Sequence, residues 1–436
     1  MLKRKIYNRL VEWKHQANKR PLMIKGARQV GKTYIIKEFA KQNYKSLIEI
    51  NFDRDPELKD IFAGNLSAKN IISQISLHII GSEIIEGQTL LFLDEIQNCP
   101  NARTALKFLA EQKIVDVIAS GSLLGVHIKE VPSIPSGYVE SFNMYSLDFE
   151  EFLWAMGIKE DAIALVKEFY QKIEPVPSAT HNKMMELFKQ YIVVGGMPRV
   201  VNTFIEDLDY QKAFLVQKDQ IKDYYDDIAK YAIGTDKMKA KECFSSIPRQ
   251  LAKDYKKFMY SDVQPKGNRR MLGGALGWLL DAGIVSFCYN LKTLDKPLYS
   301  YAIQEQFKVY MNDTGLLIAM LDPSSAKDIL EGNLGTYKGA IFENIIAEIL
   351  TKAGHDLYYY AKGNNLEIDF ITRLEGDVVA VEVKSADNSK SKSLNSVLKQ
   401  SPTIKGIKLS MKNIGKTPNG LSIPLYMAMF LFEQKT

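Results

Sequence analysis

Residues 25–33, KGARQVGKT, constrain this chain more than any other stretch. They read Gly26, four residues, then Gly31-Lys32-Thr33, which is the phosphate-binding P-loop pattern. Glycines at both ends let the backbone turn tightly, so that successive N–H groups converge on a phosphate. Lys32 supplies a mobile ammonium for β- and γ-phosphates, and the Thr33 hydroxyl has the right size to ligate Mg²⁺. The apolar run Leu22-Met23-Ile24 ahead of it predicts a buried strand. Residues 33–42 behind it place Ile35, Ile36, Phe39 and Ala40 on one helical face. A strand, a glycine-rich loop and a helix N-terminus together make an anion site. A chance glycine turn before Lys-Thr would not bring that flanking pattern with it. Gly26, Ala27, Arg28, Gln29, Val30, Gly31, Lys32, Thr33 and Tyr34 are therefore expected to line a site for ATP with Mg²⁺.

Residues 89–95, TLLFLDE, form the second anchor. Four apolar residues in a row fit a central parallel strand buried on both faces. Asp94 and Glu95 then lie at its C-terminal tip, where open α/β sheets place ligands. This is the Walker B pattern: Asp94 for the shell of Mg²⁺, Glu95 to polarise an attacking water. A further strand over residues 114–119 ends in Ser120-Gly121-Ser122. A polar group at that tip can sense the γ-phosphate; Ser120 is the first choice and Ser122 the alternative, beside the reading of an ordinary turn.

GARQVGKT, LLFLDEIQ, IASGSLLG and YSLDFEEFLWA (residues 145–155) occur here in an order that resembles a group of bacterial and archaeal AAA-type ATPases. The C-terminal half of that group is a domain of unknown function with a nuclease-like fold. The resemblance covers most of the chain and includes GGMPR at residues 195–199, which in the group closes the ATPase lid. One departure concerns the arginine finger. Many relatives carry Gly-Arg ahead of the segment that corresponds to YSLDFEEF, whereas this chain has Gly137-Tyr138. Arg28, Arg103 and Arg199 are the remaining candidates, each equally open to a surface or structural role.

Pro175, Pro177 and Ser178 mark a linker-like break between helical stretches, and residues 210–231 read as one long helix. Its Asp223, Asp226 and Asp227 fit a solvated face better than a metal site. Residues 271–285 read as a helix and turn, with strands near 284–289 and 298–303, an order that resembles a winged helix. Lys256, Lys257, Lys266, Arg269 and Arg270 just ahead of it suit either a phosphate backbone or a wet protein face.

Residues 337–350 read as an amphipathic helix carrying Glu343. Strands follow at 356–360, 365–372 and 377–385, then a helix near 392–399 and a strand at 406–409. Period-two alternation sets Glu367, Asp369 and Ile371 on one face, with Glu382 and Lys384 alongside. This order, with Asp and then Glu-x-Lys, resembles the PD-(D/E)XK nuclease core. The resemblance implies Mg²⁺ on Asp369 and Glu382, with Glu343 completing the shell and Lys384 orienting water or stabilising phosphate charge. A non-cutting binding module uses the same fold, and Glu-Val-Lys is common on half-exposed strands.

At 436 residues the chain has room for about three domains of ~150 residues. The expected fold class is α/β: a P-loop parallel sheet flanked by helices (1–155), a helical lid (156–235), a winged-helix-like part (236–325) and a restriction-endonuclease-like α/β domain (326–436). Lys plus Arg exceed Asp plus Glu by 57 − 51 = +6, which suits a polyanionic partner such as DNA without requiring one. Three scattered cysteines, no apolar segment after the charged start and no run of roughly 18 apolar residues fit a reducing, cytosolic setting away from membranes. ATP, DNA, a protein partner and copies of the chain itself are the candidate partners.

Overall fold

A computed structural model of the chain describes residues 2–122, 137–231, 236–253, 256–321, 323–333, 337–363, 366–384, 391–417 and 420–433. Residues 123–125 of IASGSLLG and the expected strand ends at 365 and 385 lie outside them. The chain divides into two compact units: residues 1, 3–146 and 281–283, and residues 2, 147–280 and 284–436. No helix among the described residues is long and apolar enough to cross a membrane.

The first unit is a five-stranded sheet in the order β2-β3-β4-β1-β5, with every neighbouring pair parallel. The strands are β1 (Leu22–Lys25), β2 (Ser46–Asn51), β3 (Thr89–Asp94), β4 (Asp116–Gly121) and β5 (Glu140–Asn143). Helices α1 (Ile6–His15), α2 (Lys32–Asn43), α3 (Ala68–His78) and α4 (Pro100–Gln112) complete it. All six positions of β3 are buried, as its unbroken apolar run requires of a strand covered on both faces. Ile48, Ile50, Leu91, Leu93, Ala105 and Leu106 are part of one core on one side of this sheet. The register aligns Asn51 with Asp94, and Ile24 with Ser120, so the strand tips carrying polar residues end side by side.

The second unit begins with helices α5 (Phe149–Ala155), α6 (Glu160–Lys172), α7 (Ser178–Val194), α8 (Pro198–Asp207), α9 (Tyr210–Tyr231), α10 (Asp236–Leu251), α11 (Tyr260–Val263) and α12 (Arg269–Asp281). The segment YSLDFEEF starts α5 with a capping box. The Asp148 carboxylate accepts from Glu151 N–H at 2.9 Å, and Glu151 accepts from Asp148 N–H at 3.1 Å. In GGMPR, Gly196 lies against Leu147: a Cβ there would stand 2.0 Å from the Leu147 carbonyl oxygen, which only glycine avoids. Pro198 then opens α8, where its missing N–H costs nothing.

The rest of this unit is an eight-stranded mixed sheet, β12-β13-β11-β10-β9-β8-β6-β7. Its strands are β6 (Val285–Leu291), β7 (Ala302–Met311), β8 (Leu357–Lys362), β9 (Leu366–Leu374), β10 (Asp377–Val383), β11 (Lys405–Ser410), β12 (Gly415–Thr417) and β13 (Gly420–Pro424). Helices α13 (Thr314–Met320), α14 (Ser325–Glu331), α15 (Lys338–Lys352), α16 (Lys392–Gln400) and α17 (Ala428–Leu431) accompany them. The helix, three strands, helix and strand expected from the sequence are present as α15, β8–β10, α16 and β11; β8–β10 pair antiparallel, and β11 lies parallel to β10. The hairpin β6–β7, expected as a wing, instead pairs through β6 with β8 in parallel. No sheet boundary therefore falls between residues 325 and 326. The second strand also runs on from 303 to Met311, because Phe307, Val309 and Met311 continue a buried face.

Period two breaks once in β9. The β8–β9 register shifts between Tyr358 and Tyr360, so Ile371 and Ile368 both pack in the core with Val378, Ala380, Leu394 and Val397. The expectation that Ile371 shares a face with Glu367 and Asp369 fails at this irregularity.

Candidate functional site

The P-loop follows β1 and ends where α2 begins at Lys32. Gly26 and Gly31 have φ of 156° and 96°, and the loop also holds Gln29 at φ 64°. A Cβ on Gly26 would stand 2.0 Å from the Met144 carbonyl oxygen, so the turn admits glycine alone. The loop is fastened from behind by a residue with no motif signature. Arg4, buried, donates to the carbonyls of Val30 (3.0 Å) and Tyr145 (2.7 Å).

Lys32 is 6% exposed, and its ammonium donates to the carbonyls of Gly26 (2.9 Å) and Ala27 (2.8 Å). Burial pushes its pKa down to about 8, against the pull of Glu95 and Asp94. This is a cation with polar partners weak enough to be exchanged for phosphate oxygens. Val30 and Ala27 are buried, Arg28 is half-buried, and Tyr34 stands 53% exposed on the first turn of α2.

Asp94 is buried and accepts four hydrogen bonds. Oδ2 takes the Thr33 hydroxyl (2.9 Å) and Asn51 Nδ2 (3.0 Å); Oδ1 takes the Ser120 hydroxyl and Glu95 N–H (3.1 Å). Thr33 thus gives its proton to Asp94 and keeps its lone pairs for a hard cation, which is the donor arrangement Mg²⁺ needs. Ser120, expected as a phosphate sensor, is fully buried and spends its hydroxyl on Asp94. Asn51 escaped the sequence reading; an asparagine at the end of a strand gives no signal until the register sets it beside Asp94.

Glu95 has a left-handed backbone, φ 53°, which turns it off the strand end. Its Oε2 accepts from Gln97 Nε2 and, at 3.4 Å, from the Ser122 hydroxyl. Of the finger candidates, Arg103 is buried in α4, and its pKa is lowered by burial. Arg199 is exposed and lies 3.8 Å from Asp219.

The second expected site has a different occupant. Lys308, on β7, is 1% exposed and lies 2.5 Å from Glu367 and 3.5 Å from Glu343, with the Tyr359 ring 4.9 Å from its ammonium. Burial alone would lower Lys308, yet Tyr310, Glu343, Glu367 and Asp369 hold it well above its ordinary value. Glu343 also pairs with Lys256 and accepts from the Tyr310 hydroxyl at 3.2 Å. Burial would raise Glu343, but Lys308 and Lys256 pull it below its usual range. Asp369 accepts from Val383 N–H at 2.7 Å; burial and the Glu343 charge push its pKa up to about 7. Glu382 is buried, pairs with Lys384 at 2.8 Å, and keeps Oε2 without a hydrogen-bond partner. Alternation sets Glu382 on the side of β10 that carries Val378 and Ala380, beneath α16.

Among the described residues, no three carboxylate, histidine or cysteine side chains gather closely enough to hold a metal ion. Glu343, Asp369 and Glu382 are therefore not brought together as one shell. Of the basic run, Lys256 turns inward to Glu343 and Arg269 lies 3.2 Å from Glu305. On α9, Asp227 is buried, unlike the solvated face expected there.

Residues 18–153 match the family model of an AAA domain. Residues 185–327 and 338–420 match two domains of unknown function, DUF8612 and DUF4143. No curated protein matches the chain. Among solved structures, the chain is similar to a Walker-type ATPase of Pyrococcus abyssi (13% identity, 73% of this chain and 96% of that one, TM-score 0.43). It is also similar to the ORC1 protein of Aeropyrum pernix in complex with DNA (11%, 75% and 90%, 0.31). A third is Cdc6p of Pyrobaculum aerophilum (13%, 73% and 89%, 0.25). All three are distant likenesses. The family match and the P-loop geometry agree on an AAA-type P-loop ATPase domain over residues 18–153.

Proposed function

We propose that the chain is a slow ATPase acting as a nucleotide-driven switch, with its second unit a non-cutting module for a protein or nucleic-acid partner. In the first unit, Lys32 leaves the Gly26 and Ala27 carbonyls for the β- and γ-phosphates. Thr33 and Asp94 would hold Mg²⁺, which would spread the phosphate charge. Glu95 receives a proton as the water oxygen bonds to the γ-phosphorus and the bond to the β-phosphate oxygen breaks. Ser120 and Asn51 keep Asp94 aimed. Among the described residues Arg103 is buried in α4 and Arg199 lies beside Asp219, so turnover stays low until a partner or a second copy supplies a cation.

The observation that carries the non-cutting reading is Lys308. Its ammonium lies 2.5 Å from Glu367 and 3.5 Å from Glu343 and feels the Asp369 charge, so a cation of the chain itself serves these carboxylates. A specific observation favours the second reading, a Mg²⁺-dependent DNA nuclease using Asp369, Glu382 and Lys384: the buried Glu382 Oε2 lacks a partner. Plasmid and single-strand digestion with Mg²⁺ or Mn²⁺, with and without ATP, separates them. No cleavage supports the first reading. Cleavage that disappears in Lys384→Ala replaces it with the second.

A further inference from the structure

Glu95 is anchored through one oxygen only. Gln97 Nε2 and the Ser122 hydroxyl both reach Oε2, while no described residue bonds Oε1. The two anchors come from different elements: Gln97 from the 3₁₀ turn after β3, Ser122 from the segment just past β4. The orientation of the Gln97 amide is fixed by chemistry, since its carbonyl oxygen against the Glu95 carboxylate would be repelled. That leaves Gln97 Oε1 buried and without a hydrogen-bond partner. Buried acceptors left empty in a folded protein call for an explanation. Here an unused acceptor sits on the very side chain that holds the catalytic carboxylate. A water molecule with two protons needs two acceptors to be oriented, and Glu95 Oε1 and Gln97 Oε1 are two that no described residue uses.

We propose that Gln97 is a positioning residue for ATP hydrolysis. With Ser122 it fixes Glu95 through Oε2, so that Glu95 Oε1 and Gln97 Oε1 are left to orient the attacking water. This rests on the ATPase reading above and adds the residue that sets the direction of its base. Gln97 takes no part in binding the nucleotide, so its loss shows in turnover alone.

The test is steady-state phosphate release by the full chain with Mg²⁺-ATP, beside equilibrium binding of a non-hydrolysable ATP analogue. Gln97→Met keeps the side-chain length and removes both donor and acceptor. It should lower kcat by about 10- to 100-fold, the scale of a misaimed catalytic group, with KM and analogue Kd within twofold of wild type. Ser122→Ala should cost less, and Ser122→Thr, which keeps the hydroxyl, should restore wild-type turnover. A thermal melt and the retained analogue binding show that Gln97→Met is folded. Turnover within twofold of wild type in Gln97→Met overturns the proposal, as does an equal loss of analogue binding. A wild-type chain with no ATP turnover overturns the ATPase reading itself, and this inference with it.

Discussion

Removing the Lys308 ammonium gives the sharpest energetic test of the second unit. Lys308→Met keeps most of the side-chain volume and deletes the charge. At 3.5 Å and an effective dielectric of about 20, one unit-charge pair is worth about 5 kcal/mol. Glu367 is part-exposed and regains water, so most of the loss falls on Glu343 and Asp369. Lys256 remains on Glu343 and returns part of it. Breaking a buried pair costs ~3–5 kcal/mol in general, and the remaining lysine places this site near the lower end, ~3 kcal/mol. For a unit of this size that corresponds to roughly 5 °C in melting temperature. Calorimetry at pH 7 should show the drop in the transition that added Mg²⁺-ATP does not shift. The deficit should shrink toward pH 5, where the stranded carboxylates take up protons. Glu343→Gln in the Lys308→Met background should recover part of it, because position 343 then holds no buried negative charge, and only part, because Lys256 loses its partner. A melting shift below about 2 °C, or no recovery in the double variant, would refute the description of this cluster as one neutralised by Lys308.

Two further outcomes follow from titrating groups. Asp369 has a folded pKa raised to about 7, above its unfolded value, so ionising it opposes folding. Its contribution is most favourable at acid pH and is lost as pH rises toward 7, by at most about 1.4 kcal/mol per pH unit; Asp369→Asn should flatten the melting temperature between pH 5 and 8. In the first unit, Lys32 in the free protein loses its proton near pH 8. ATP affinity, measured by equilibrium binding, should therefore weaken as pH rises above about 8, and Lys32→Arg, which stays charged, should remove that dependence.

What the sequence made legible was local. The P-loop, the buried run of β3 and the long helix α9 are each written in a contiguous stretch whose periodicity or glycine placement leaves few alternatives. The capping box of α5 is of the same kind, with Asp148 and Glu151 spaced to cap each other. What stayed hidden depends on register and on pairing across long separations. Arg4 reaches Val30 and Tyr145 only after the sheet has formed. Asn51 matters because β2 and β3 align it with Asp94. Lys308 lies beyond 303, where the sequence pattern ends the strand, and nothing local announces that β6 and β7 will join β8 in one sheet. Without Lys308 in view, the pattern of Glu343, Asp369 and Glu382 reads as a set of carboxylates for a metal. The shifted register of β8 against β9 was equally invisible, and with it the burial of Ile371 away from Glu367.

Nucleotide binding and hydrolysis by three proteins, wild type, Lys32→Ala and Glu95→Gln, bear most directly on the central claim. The P-loop account expects wild type to bind and slowly hydrolyse Mg²⁺-ATP. Lys32→Ala should lose binding, and Glu95→Gln should bind as wild type yet release no phosphate. Unaltered turnover in both variants would contradict it.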